Sequence, residues 1–312
     1  MDLSSASTEQ TDPRWAELDL MTPLEAAAAM NAAERRSVDA VASKLHLLAQ
    51  AASMAAGALG NGGRLIYVGA GTSGRLGVMD AAECPPTFDV EPWQVRGVIA
   101  GGAGALTASA ESVEDDADAG AREMAALSVG PADLVVAISA SGRTPFVLGA
   151  ASAAKAAGAA TVGIANNVPC DLEAIVDLCI GLETGPEVLA GSTRLKAGTA
   201  QKMALNIIST VTMVQMGKVY RNLMVDVRPT NEKLRQRAHR MVREATGRDD
   251  DAVRAALDAS GWRPKVAIVM LEVGCSAAAA LDLLAQAGGF VRRAIASPGQ
   301  PAQCAGSKGD QS

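Results

Sequence analysis

Residues 64–88 read RLIYVGAGTSGRLGVMDAAECPPTF. An apolar run, Leu65 to Val68, enters a loop of glycines, a Thr and a Ser, and helical spacing follows. A continuous apolar run, a glycine turn and a helix are the opening of a βαβ unit. Glycines let main-chain N–H groups approach a ligand, and a helix N-terminus favours an anion. Three readings fit this loop taken alone. Gly69, Gly71 and Gly74 have the G-x-G-x-x-G spacing of a dinucleotide site. The loop also suits a tight strand–helix turn without ligand, or a phosphomonoester site. Against the first, the next candidate strand, 94–101, has no acid to hold a ribose; against a P-loop, no Lys-Ser/Thr pair follows.

Working outward, four more apolar runs read as strands, at 94–101, 133–140, 160–166 and 178–183, beside the first at 64–70. They are continuous rather than alternating, which suits strands buried on both faces of a parallel sheet. Helical segments between them predict right-handed crossovers and hence a doubly wound five-stranded α/β layer flanked by helices. Residues 21–60 read as helices, 194–220 as one long apolar helix, and 229–247 as further helix. After 249, DDAVRAALDAS, PKVAIVMLEVG and CSAAAALDLLAQAGGFVRRAI predict a small three-helix unit. The expected organisation is an arm (1–20), an α/β domain (21–240), a small helical domain (241–297) and a disordered Gly/Pro/Ser-rich tail (298–312).

Composition narrows the function classes. The 312 residues are 49% hydrophobic, enough for a sizeable core. A net charge of −6 with 3% aromatics argues against nucleic acid. The polar start MDLSSASTEQTDPRW predicts no secretory leader, and no apolar run is long enough to span a bilayer, so a cytoplasmic protein without a membrane partner is expected. Five cysteines without a CxxC pair, and only His46 and His239, predict neither a metal site nor a disulfide framework.

A second loop decides between the readings of the first. AISASGRTPF, 137–146, also follows an apolar run and opens a helix, offering Ser139, Ser141, Gly142 and Thr144. Two hydroxyl-rich loops at the carboxyl ends of parallel strands converge at a topological switch point, and their donors suit a compact phosphate. The predicted clamp is Thr72, Ser73, Ser139, Ser141 and Thr144, with Gly74 and Gly142 giving backbone approach. Arg75 and Arg143 flank the loops, either adding charge or pairing with local acids.

The paired loops resemble the sugar isomerase (SIS) domain. Three longer stretches resemble the N-acetylmuramic acid 6-phosphate etherases: LIYVGAGTSGRLGVMDAAECPPTF (65–88), ISASGRTPFV (138–147), and EVLAGSTRLKAGTAQKMALNIIST running on to GKVYRNLMVDVRPTNEKL (187–234). The family's Thr-Glu pair stands at Thr8–Glu9, followed by QTDP where the family has an Arg-Asn-Pro type of sequence. The resemblance implies an SIS-type sheet, a C-terminal domain similar to a ubiquitin-associated fold, and a role in cell-wall sugar recycling. It implies cleavage of the ether between a phosphorylated amino sugar and D-lactate, without cofactor or metal. It also implies Glu83 and Glu114 as the essential carboxylates. In that chemistry Glu114 removes the C2 proton and Glu83 protonates the departing lactate oxygen. A carboxyl pKa raised toward neutrality by burial would suit either role. Glu111, one helical turn earlier, is the competing carboxylate. Cys84 beside Glu83 reads as a packed residue. Lys196 and the TNEKL cluster, with Asn231 and Glu232, match family motifs as further substrate contacts, set against capping and surface pairing. The resemblance also suggests a homodimer built on the helix at 195–216. The alternatives are a phosphosugar isomerase and a non-catalytic phosphosugar sensor like glucokinase regulatory protein.

Overall fold

Five strands, β1 (Leu65–Gly69), β2 (Val95–Ile99), β3 (Leu134–Ser139), β4 (Ala160–Ala165) and β5 (Leu178–Gly181), form one sheet in the order β2-β1-β3-β4-β5. All pairs are parallel. The structure is a computed structural model and describes residues 6–108, 113–227, 229 and 231–296. The predicted tail, 298–312, and Glu111 lie outside the described residues. β1 and β3 are buried along their whole length, as their continuous apolar runs require when both faces are covered. β2 lies at the edge and exposes Arg96.

The helices are α1 (Pro23–Ala42), α2 (Leu45–Gly60), α3 (Gly71–Phe88), α4 (Ala117–Ala126), α5 (Pro145–Ala156) and α6 (Lys196–Gln215), then α7 (Glu232–Thr246), α8 (Asp250–Ala259), α9 (Pro264–Val273), α10 (Ala277–Gln286) and α11 (Val291–Ala296). A capping box between Thr22 and Glu25 starts α1. α4 and α5 pack backbone to backbone at two glycines. A Cβ on Gly120 would stand 2.9 Å from Ala150 N, and one on Gly149 2.9 Å from Ala117 Cα. That approach fixes the segment entering α4 against the start of α5.

The chain divides into two compact units, 1–85 with 90–212, and 86–89 with 213–312. This division falls inside α6, earlier in the chain than the 240/241 boundary expected from the sequence. The core of the first unit includes Ile66, Val68, Val135, Ala137, Phe146 and Val147. In the second, α9 is packed by α7, α8, α10 and α11, with Ile268 and Val269 fully buried. The third helix expected there is two, because Gly288 and Gly289 take positive φ (63° and 84°) and turn the chain between α10 and α11. Among the described residues no single helix is long and apolar enough to cross a membrane.

Candidate active site

β1 and β3 are neighbours, with Gly69 opposite Ile138, while the chain leaving β1 goes to β2 on the other side. The loops after β1 and β3 therefore share the crevice at the switch point. In the first loop Gly71 has φ +50° and begins α3. Gly74 serves packing: a Cβ there would stand 2.7 Å from Gly69 O and from Ile99 Cγ1. Its N–H donates to Ala70 O at 3.0 Å, so it is not offered to a ligand. The Ser73 hydroxyl is buried and donates to Gln201 Oε1 at 2.8 Å, and Gln201 Nε2 donates to Asn166 Oδ1 at 2.9 Å. What this loop offers an anion is the first-turn N–H groups of α3 and the half-buried Thr72.

The second loop holds three hydroxyls together. Ser139 Oγ lies 2.8 Å from Thr144 Oγ1 and 3.3 Å from Ser141 Oγ, and accepts the Gly142 N–H at 3.1 Å. Ser141 Oγ accepts the Arg143 N–H at 3.2 Å. Each hydroxyl can rotate to donate to a phosphate oxygen. Gly142 has φ +67°, and a Cβ on it would stand 2.6 Å from Cys170 Cβ. The turn thus needs glycine for its backbone and for space.

Glu114 touches both loops. Its carbonyl accepts the Phe146 N–H at 3.0 Å, in the first turn of α5. Its Oε1 lies 2.9 Å from where a Cβ on Gly71 would be. The Asp116 side chain, accepting the Ala119 N–H at 2.8 Å, starts α4 directly after it. A carboxylate is thereby held over the N-terminus of α3, beside the hydroxyl cluster.

Glu83 stands elsewhere on the same helix. It is exposed, and twelve residues of α3 place it about 18 Å along the axis from Gly71. The expectation that Pro85 and Pro86 end this helix is not met: α3 continues to Phe88, and Asp89, with φ +51°, follows it. Proline forfeits its own N–H but keeps a helical φ, so the turn after it can persist. Cys84 Sγ donates to Asp80 O at 3.3 Å, and burial, with the charges of Asp80 and Glu83, pushes its thiol up to about 12; it is a packed residue.

Of the flanking arginines, Arg75 donates to Leu106 O and Ala108 O, and Arg143 Nε lies 3.9 Å from Asp171. Lys196 is buried, and its ammonium donates to the carbonyls of Thr184 and Pro186. Burial lowers its pKa, against the pull of Glu187, whose carboxylate accepts the Lys196 and Ala197 N–H groups. Burial raises Glu187 in turn. Lys196 thus secures the entry to α6, with two of its three ammonium N–H donors committed to main-chain carbonyls. Asn231 caps α7 by accepting the Leu234 N–H at 2.9 Å, and Glu232 accepts from Gln236. Both lie in the second unit. Among the described residues no three of His, Cys, Asp and Glu stand close enough to hold a metal ion.

Two family models match, the glucokinase regulatory protein N-terminal SIS domain over residues 47–155 and the SIS domain over 107–210. The N-acetylmuramic acid 6-phosphate etherase of Cutibacterium acnes is 52% identical over 93% of this chain and 95% of its own. That of Mycolicibacterium smegmatis is 49% identical over 95% and 99%. The chain belongs to the N-acetylmuramic acid 6-phosphate etherase family. A phosphoheptose isomerase from Neisseria gonorrhoeae superposes with a TM-score of 0.45 at 18% identity, over 61% of this chain and 98% of its own.

Beside the carboxylates and hydroxyls that its etherase resemblance marks, the crevice has supports that the sequence reading missed. Thr8 is fully buried, and its hydroxyl accepts from Asn167 Nδ2 at 2.8 Å. Asn167 also donates to Ala140 O in the hydroxyl loop and accepts the Thr8 N–H. The arm therefore braces that loop, and the Thr-Glu pair seen in the sequence was its signal. Gln201 and Asn166 carried no comparable signal.

Proposed function

We propose that this chain cleaves the C3 ether of N-acetylmuramic acid 6-phosphate, releasing D-lactate and leaving N-acetylglucosamine 6-phosphate. The observation that carries the reading is the Glu114 carboxylate held at Gly71 between two loops suited to a phosphate. The Ser139, Ser141 and Thr144 hydroxyls, Thr72, and the Ser73 N–H seat the 6-phosphate; Gly74 and Gly142 allow the close packing that shapes both loops. With the sugar open, C1 is an aldehyde and the C2 proton is acidic. Glu114 takes that proton, the electron pair forms the C2–C3 double bond, and the C3–O bond breaks. Glu83 protonates the departing lactate oxygen, then takes a proton from the water that adds at C3 while Glu114 returns one to C2. The sum consumes one water and requires no change of oxidation state.

A rigid helix about 18 Å from Gly71 to Glu83 keeps the two carboxylates of one chain apart. Our reading is therefore a homodimer in which the partner subunit's Glu83 faces Glu114. Phosphorylated sugars do not cross bilayers unaided, so the reaction belongs in the cytoplasm. The test is incubation with N-acetylmuramic acid 6-phosphate in heavy-oxygen water. Unlabelled lactate with one heavy oxygen in the sugar is expected. No lactate, with the sugar phosphate still bound, would remove the lyase reading in favour of a sensor.

A further inference from the structure

The second unit contains a cavity of about 830 Å³ whose lining, among the described residues, comes from that unit. Its volume lies within the range of small-molecule sites, about 300–1,000 Å³. One part of the wall is apolar, with Val225, Val266 and Leu284. The rest is charged, and its cations outnumber the carboxylates of Asp226 and Asp89, the latter also accepting from Lys218 Nζ through its main-chain carbonyl at 3.4 Å. Asp226 Oδ2 sits between two ammoniums, 2.8 Å from Lys265 Nζ and 3.3 Å from Lys218 Nζ. One carboxylate shared by two ammoniums leaves positive charge and unused N–H donors. Lys265 is mostly withdrawn from water, which disfavours its charged form and increases the gain from a further anion.

Two more cations line the same space, Arg235 and Arg263. Neither has a carboxylate partner among the described residues. The Arg235 guanidinium lies 5.1 Å from the ring centroid of Trp262. Trp262 itself has φ +59°, a left-handed backbone that a bulky residue rarely adopts. A strained aromatic at a cavity wall, backed by a cation, is the kind of outlier that points to a ligand. A pyranose presents a C–H face to an aromatic ring, and a phosphate ester suits clustered Arg and Lys donors. We propose that this cavity is a second, non-catalytic binding site for a phosphorylated sugar, seated on Trp262 with its phosphate among Lys218, Lys265, Arg235 and Arg263. The proposal takes only its choice of probe from the lyase reading.

Equilibrium dialysis of the full chain with N-acetylglucosamine 6-phosphate tests it. Two molecules per chain are expected, falling to one in Ser139→Ala/Thr144→Ala and to one in Arg235→Ala/Arg263→Ala. In the loop variant, the remaining molecule should shift the Trp262 indole N–H resonance, and N-acetylglucosamine or inorganic phosphate alone should bind at least about tenfold more weakly. A single molecule lost on the loop substitutions and unaffected by the arginine substitutions overturns the proposal. So does an unmoved Trp262 resonance, or AMP or inorganic phosphate binding as tightly as the sugar phosphate. A single molecule spared by the loop substitutions and removed by the arginine ones upholds this site, and counts against the loop reading instead.

Discussion

The Glu114 carboxylate rests on Gly71: its Oε1 occupies space 2.9 Å from where a side chain at 71 would begin. Glycine at 71 thus serves the acid that follows forty-three residues later as well as the turn into α3. A methyl at 71 would push on the end of a flexible side chain, which can yield, and would sit at φ +50°, a conformation costing roughly 1 kcal/mol or more outside glycine. We expect Gly71→Ala to remain folded, with Tm lower by about 2–4 °C. We expect kcat for lactate release to fall about 100-fold, since a base displaced by an ångström loses its alignment. KM should move little. Unchanged kcat in a folded variant would separate Glu114 from the chemistry.

Ser139 is the hub of the hydroxyl cluster, in contact with Thr144 Oγ1, Ser141 Oγ and the Gly142 N–H. Removing it takes away one donor to the phosphate and loosens two others. Hydrogen bonds to a charged group are worth about 1.5–3 kcal/mol, so Ser139→Ala should raise KM at least about tenfold. If the phosphate is held equally in ground and transition states, kcat stays within about twofold. Steady-state kinetics separate the two; a loss confined to kcat would move Ser139 from binding to catalysis.

Much of this arrangement was legible along the chain. The five strands stood out because both-face burial leaves unbroken apolar runs such as LIYV and LVVAI, and each loop carried its own glycines and hydroxyls. Other features depended on distant partners. Ser73 looked like a phosphate donor, yet its hydroxyl is committed to Gln201, 128 residues on. Lys196 looked available, yet its ammonium is folded back onto the carbonyls of Thr184 and Pro186. No local pattern shows where a long side chain will turn. The passage of α3 through two prolines and the break at Gly288–Gly289 are different failures. There the residues were in plain view, and tertiary packing decided which breaker was obeyed.

A staple at the entry to the sheet sets a pH dependence independent of the site. Arg64, preceding β1, donates to Asp133, preceding β3, through its main-chain N–H (2.9 Å), Nε (3.0 Å) and Nη2 (2.6 Å), and the Gly130 N–H adds a fourth bond at 3.0 Å. Burial pushes the Asp133 carboxyl up, but these bonds outweigh it and leave it below its ordinary value. The unfolded chain therefore binds the proton more readily. The staple's stability is fully present above the unfolded pKa of about 3.9 and is lost as pH falls through the folded value. Asp133→Ala should cost about 3 kcal/mol at pH 7 by leaving Arg64 without its partner. Urea unfolding should show a smaller gap between the two proteins at pH 3 than at pH 7. A gap independent of pH would mean the charge on Asp133 contributes nothing.

The separation of Glu83 from Gly71 along α3, about 18 Å, makes the subunit origin of the second carboxylate measurable. Glu83→Ala and Glu114→Ala should each abolish lactate release. In a homodimer with sites built across a two-fold axis, a mixed dimer of the two variants has one site lacking both glutamates and one site with both intact. Random exchange of equal amounts makes half the dimers mixed, and each carries one working site of two, so recovery should approach about a quarter of the intact activity. The recovered activity should grow with time as subunits exchange and should vanish when the variants are cross-linked before mixing. Glutamates acting within one chain, or a chain that stays monomeric by light scattering, would give no recovery at any mixing ratio. A quarter of the activity from two dead proteins would place Glu83 in the partner's site, and would explain why Glu83 is exposed at a position where a single chain has no use for it.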